Sequence, residues 1–143
     1  MKPASEAPVL TWDVPRAPGA FARARDLVRA TLRRWGCDTE GVDVVVLLVT
    51  EMVTNAHRHA DSDACLRLRP SGHGVEVAVA DASPLPPVRR TPDVTSGTGG
   101  LGLQILERLA SRWGVEPHGP GKRVWADVPC HTGLASAAVA PAG

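Results

Sequence analysis

Thr50-Glu51-Met52-Val53-Thr54-Asn55-Ala56-His57-Arg58-His59-Ala60 is the stretch on which the reading of this chain turns. On a helix, side chains four apart share a face, so Glu51, Asn55 and His59 form one polar stripe with Arg58 beside it. The run before it, Val42 and Val44 through Val49, continues with Met52 and Val53 and is apolar nearly all round. A helix of that kind is sandwiched rather than laid on a surface. β-branched valines also suit a strand, but the length of the segment and its polar spacing predict a helix over 42–60. A carboxylate and a carboxamide on a buried helix are costly unless something satisfies them. A hydrated Mg2+ with a phosphate would do so, with Asn55 giving the metal a neutral oxygen and Glu51 orienting or deprotonating a nucleophile. A hydrogen-bonded core pair is the plain alternative. His57 and His59, two apart, point about 200° away from each other on a helix and cannot chelate one ion together.

Outward from this segment the chain alternates readable elements. Residues 9–14 read as a strand closed by Pro15. From 17 to 35, Phe21, Ala24, Val28, Leu32 and Trp35 recur at helical steps, and Gly36 is a natural stop. The outer face of that helix carries Arg23, Arg25, Arg29, Arg33 and Arg34 against a lone Asp26, either a solvated basic face or a surface for an acidic partner. Strands are predicted over 64–69 and 75–81, joined by the turn residues 70–74. Residues 82–98 hold Pro84, Pro86, Pro87 and Pro92 and no periodicity, a long irregular loop of the kind that is usually functional or disordered. A third helix is expected over 101–113, then a hairpin of 115–118 with 123–128 around Gly119-Pro120-Gly121-Lys122. This order implies an α/β (α+β) two-layer sandwich, three helices on one face of a mixed sheet. The expected organisation is a loose segment 1–8, one domain over 9–128 and an unstructured tail 129–143.

Composition fits a single domain of 143 residues, 43% hydrophobic and 22% charged. Sixteen Lys and Arg against fifteen Asp and Glu leave a net +1, which argues against a protein that coats nucleic acid or an anionic membrane. The N-terminus has no apolar core of a secretory signal, and Val44 to Val49 falls far short of the ~20 residues that span a bilayer. Cys37, Cys65 and Cys130 are odd in number and widely spaced, with no C-x-x-C; they read as small thiols in a reducing cytoplasm rather than a disulfide or metal set.

Two further features complete the picture. Asp81 ends the apolar strand, where an acid can accept a hydrogen bond from an exocyclic amine such as that of adenine. Ser96-Gly97-Thr98-Gly99-Gly100-Leu101-Gly102-Leu103 leads straight into a helix, and glycines there let backbone N–H groups approach phosphates. It is neither a P-loop nor a dinucleotide fingerprint, and a glycine-rich hinge is its plain alternative.

In order, a Glu-x-x-x-Asn helix, a strand ending in Asp, a long loop and Gly-x-Gly entering a helix resemble the GHKL, or Bergerat, ATPase superfamily. More narrowly, Glu51 to Ala56 with Arg58-His59-Ala60, Ser111 to Val115 and Gly121 to Ala126 resemble the small bacterial anti-sigma-factor serine/threonine kinases. The resemblance covers roughly residues 9–128. It implies that Asn55 coordinates Mg2+, Glu51 is the catalytic carboxylate, and Asp81 holds the adenine amine of ATP. It also implies that Gly97, Thr98, Gly99, Gly100, Leu101 and Gly102 wrap the phosphates, with Arg58 and His59 near their charge. The family's Asp-x-Gly-x-Gly box reads Asp81-Ala82-Ser83-Pro84-Leu85 here, so Ser83 stands beside the base in place of glycine.

The activity implied is ATP-dependent phosphorylation of a serine on an antagonist (anti-anti-sigma) protein by a cytoplasmic regulator that also binds a sigma factor. The group often forms homodimers. The alternative is a non-catalytic nucleotide-binding module that controls a partner through the order of its lid. A histidine kinase is disfavoured because the chain has no room for a dimerising phosphoacceptor helix pair. Direct nucleic-acid binding is disfavoured because no aromatic platform accompanies the basic helix.

Overall fold

The computed structural model describes residues 9–59, 62–83 and 102–130. The chain runs β1 (Leu10–Val14), α1 (Ala20–Arg34), α2 (Thr39–His59), β2 (Ala64–Pro70), β3 (Gly74–Asp81), α3 (Gly102–Leu109), β4 (Arg112–His118) and β5 (Gly121–Pro129). Residues 84–98 of the expected loop over 82–98, and the segments 1–8 and 131–143, lie outside the described residues.

The strands form one sheet in the order β1-β2-β3-β5-β4. Every pairing is antiparallel, which corrects the expected mixed sheet. Side chains alternate across a strand, and here the alternation sorts the two faces cleanly. Val75, Val77 and Val79 of β3, with Ala126 and Val128 of β5, join Leu66 and Leu68 of β2 in the core beneath the helices. Helix α2 is central: it packs on β2, β3 and β5, with α1 beside it over β1 and α3 beside it over β4. Its Val45, Leu48, Val49 and Val53 are fully buried, as a sandwiched helix requires. Leu47 departs from that expectation and is 41% exposed, on the line through Asp43 and Glu51 that faces away from the sheet.

Two boundaries moved for identifiable reasons. Helix α3 ends at Leu109, and Arg112 and Trp113, expected on it, belong to β4. The switch is made by β5, whose Asp127 carbonyl accepts from the Ser111 N–H at 2.8 Å. The Asp127 carboxylate then takes Arg112 Nη2 at 3.1 Å. At the other end, β5 runs through Pro129, beyond the expected domain end at 128. Helix α1 stops as expected, with Gly36 at φ 83°, a left-handed conformation that side chains resist.

The cysteine expectation is also corrected. Cys37 and Cys130 form a disulfide across a sequence separation of 93, their Cα atoms 5.5 Å apart. Cys65 is the free thiol among the described residues. No helix among the described residues is long and apolar enough to cross a membrane.

Candidate functional site at the C-terminal end of helix α2

Helix α2 is unbroken from Thr39 to His59, so Glu51 and Asn55 sit one turn apart on one face. Both side chains are half-buried. Neither has a hydrogen-bond partner among the described residues, so they are not a bonded core pair. Burial pushes the Glu51 carboxyl above the ordinary glutamate range. Thr50, one residue earlier, turns its hydroxyl back to the Val46 carbonyl at 2.9 Å and takes no part in the stripe.

The neighbouring histidine has a different job. His57 Nε2 donates to the Val14 carbonyl at 2.8 Å and meets the Phe21 ring edge-on at 6.2 Å, so it ties α2 to β1 and α1. Arg58 is exposed, and His59 closes the helix.

Helix α2 ends at His59 and β2 begins close behind it in sequence at Ala64, and Cys65 near the start of β2 pairs with Ala80 near the end of β3. The C-terminal end of α2 and the C-terminal end of β3 therefore lie at the same end of the molecule. Asp81 sits at that end, in the alternation of Val75, Val77 and Val79, and so faces the helical layer. Its Oδ1 accepts the Ser83 N–H at 2.9 Å, turning the chain just after the strand. Ser83 thus acts through its backbone, and the glycine it replaces is not needed to make this turn.

Lys122, to which the sequence reading gave no role, is the register partner of Asp81 on β5. Its Nζ lies 3.0 Å from Asp81 Oδ1 and 3.3 Å from the Ser83 carbonyl. The two charged side chains are 10% and 5% exposed, an ion pair nearly sealed from water. Gly121 makes this approach feasible: a Cβ at 121 would run into the Asp81 carbonyl oxygen. The signal was present in the sequence, since Lys122 falls in the inward alternation of Val124, Ala126 and Val128.

Of the remaining expected residues, Gly102 opens α3, while Gly97, Thr98, Gly99, Gly100 and Leu101 lie outside the described residues. At one end of the molecule lie an amide oxygen and a raised carboxyl on α2 and, on the sheet, a carboxylate–ammonium pair joining β3 to β5. An amide oxygen is a hard neutral ligand suited to Mg2+, and a half-buried carboxyl without a partner is suited to accept a proton.

A protein of Streptomyces coelicolor described as uncharacterized protein SCO4941 is 37% identical over 81 residues, spanning 53% of this chain and 76% of its own. The crystal structure of the RsbU and RsbW domains of Rv1364c from Mycobacterium tuberculosis superposes with a TM-score of 0.65 at 19% identity. That match covers 87% of this chain, which spans only 33% of the length of the other, so it speaks to the fold. Residues 14–127 match the family of histidine kinase-like ATPase domains, and that span includes Glu51, Asn55, Asp81 and Lys122. With four-fifths of its length inside that match and the fold to go with it, the chain belongs to the histidine kinase-like ATPase domain family.

Proposed function

We propose that the chain binds ATP with Mg2+ and transfers the terminal phosphoryl group to a serine of a small antagonist protein, while also binding a sigma factor. The observation that carries the reading is the pair Glu51 and Asn55, half-buried on the central helix and without hydrogen-bond partners among the described residues. Desolvating an acid and an amide without satisfying them is unfavourable, and a metal-bound triphosphate satisfies both.

In this reading Asn55 offers its side-chain oxygen to Mg2+, which supplies charge neutralisation on the phosphates. Glu51 stands where it can accept the proton of the attacking serine hydroxyl. As that oxygen bonds to the terminal phosphorus, the bond from phosphorus to the ADP oxygen breaks, and the serine proton passes to Glu51. The raised Glu51 carboxyl is a stronger proton acceptor than an ordinary glutamate once ionised. Asp81 offers its second oxygen, Oδ2, to the adenine amine. The protein partners, and a cytoplasmic setting with them, rest on the likeness of Glu51 to Ala60, Ser111 to Val115 and Gly121 to Ala126 to the anti-sigma-factor kinases.

The test is transfer of label from γ-labelled ATP to serine of candidate antagonists encoded alongside this protein. Wild type transfers, and Glu51→Ala does not while still binding nucleotide. A second reading, a non-catalytic nucleotide-binding module that controls a partner through the order of its lid, draws on the departure of Asp81-Ala82-Ser83-Pro84-Leu85 from the family's glycine box. Nucleotide binding with no transfer to any candidate would select it.

A further inference from the structure

Resting on the nucleotide reading above, we infer that Lys122 is a base-reading residue: its ammonium donates to a ring-nitrogen acceptor while Asp81 accepts from the adjacent exocyclic amine. Together they select a base with an amine beside an unprotonated ring nitrogen.

The argument begins with hydrogens and lone pairs. An ammonium has three N–H donors and no acceptor, and an ionised carboxylate has two accepting oxygens. Among the described residues, Lys122 Nζ has two acceptors, Asp81 Oδ1 and the Ser83 carbonyl. That leaves one N–H. Asp81 Oδ1 is taken by Lys122 and by the Ser83 N–H, which leaves Oδ2. One donor and one acceptor therefore stand side by side, fixed by the β3–β5 ladder in which Asp81 and Lys122 are partners.

Burial gives these vacancies weight. With the Lys122 side chain 10% exposed, bulk water is a poor source for its third bond, and an unmade bond to a charged donor there is costly. The surroundings leave room for a ligand. A cavity of about 410 Å3 beside Lys122, bordered also by Gly121, Val115 and Pro117, opens at the mouth of the β4–β5 hairpin; Asp81 borders a neighbouring one of about 310 Å3, and the two share Gly119 and Pro120. Each size is within the range of small-molecule sites, about 300–1,000 Å3. Val115, on the helix-facing side of β4, remains 41% exposed and supplies an apolar wall. A purely structural clamp on Asp81 has no use for the third N–H. An adenine edge, with N6–H to give and N1 to receive, completes both groups.

Isothermal titration separates the two contacts on the full chain. ATP is compared with 1-deaza-ATP, which keeps the amine and lacks the N1 acceptor, on wild type and on Lys122→Met. A hydrogen bond to a charged donor predicts that wild type binds 1-deaza-ATP about tenfold more weakly than ATP. Lys122→Met should bind the two equally. Should Lys122→Met fail to fold, Lys122→Gln takes its place, with the discrimination falling below about threefold. An equal loss for 1-deaza-ATP in wild type and variant, or no loss in wild type, overturns the inference and leaves ATP binding intact. Failure of wild type to bind either nucleotide overturns the nucleotide reading and this inference with it.

Discussion

The Lys122 ammonium and the Asp81 carboxylate meet at 3.0 Å across the β3–β5 ladder, both largely sealed from solvent. A buried pair of this kind is worth little net, yet breaking it strands a charge. Removing one partner typically costs about 3–5 kcal/mol. Asp81→Asn alone and Lys122→Met alone should each lower stability by about 3 kcal/mol in urea denaturation. The double variant should recover at least ~1 kcal/mol of the summed loss, because it strands neither charge. Strict additivity would show that the two side chains do not depend on each other.

Glu51 makes a prediction about pH. Burial raises its pKa in the folded state, so the native protein holds that proton to higher pH than the unfolded chain does. The contribution to stability is fully present below the ordinary glutamate range and is lost as pH rises through the raised value. Glu51→Gln should therefore be more stable than wild type at neutral pH, with the difference closing in acid; melting curves at both ends measure it. Phosphoryl transfer should run the opposite way, rising as Glu51 ionises, with the acid limb of the rate profile above the ordinary glutamate range. Glu51→Gln should lower transfer by ~10²–10⁴-fold, the usual contribution of a general base.

The Cys37–Cys130 disulfide makes a prediction about stability under reduction. Closing a loop of this length stabilises by about 2–5 kcal/mol, chiefly through the unfolded chain. A reductant should lower the melting temperature of wild type and leave that of Cys37→Ser unchanged. An equal shift in both proteins would locate the effect elsewhere.

Neighbouring leucines on α2 should behave oppositely. Leu48 is 0% exposed and Leu47 is 41% exposed. Leu48→Ala should cost about 3 kcal/mol, the usual toll of a core truncation, and Leu47→Ala less than ~1 kcal/mol. Chemical denaturation of the two variants checks the orientation of the helix that carries Glu51 and Asn55.

These same residues show what could be read without coordinates. The helical spacing of Glu51 and Asn55 and the alternation of Val75, Val77 and Val79 each reflect a local period, and a local period survives in the sequence. Leu47 was hidden because a run that is apolar on every side does not say which position faces out. Trp113 fits a helix three residues after Ala110 as well as a strand, and only pairing with β5 decides between them. Strand direction was not legible either, because the residues between β3 and β5 permit either sense. Cys37 and Cys130 lie far apart in sequence and are joined by topology alone. Lys122 was legible by alternation, but a charge at an inward position is easily discounted until its partner is seen.

The sulfur bridge has a consequence for the covalent connectivity of the molecule. It closes everything from residue 37 to residue 130 into a macrocycle that holds α2, the sheet from β2 to β5 and every candidate site residue. One backbone cut inside that ring opens it without releasing a fragment. A protease nicking the glycine-rich segment before α3 would leave a single species on a non-reducing gel and two after thiol treatment. The halves that carry Asn55 and Lys122 would stay tethered through the cut.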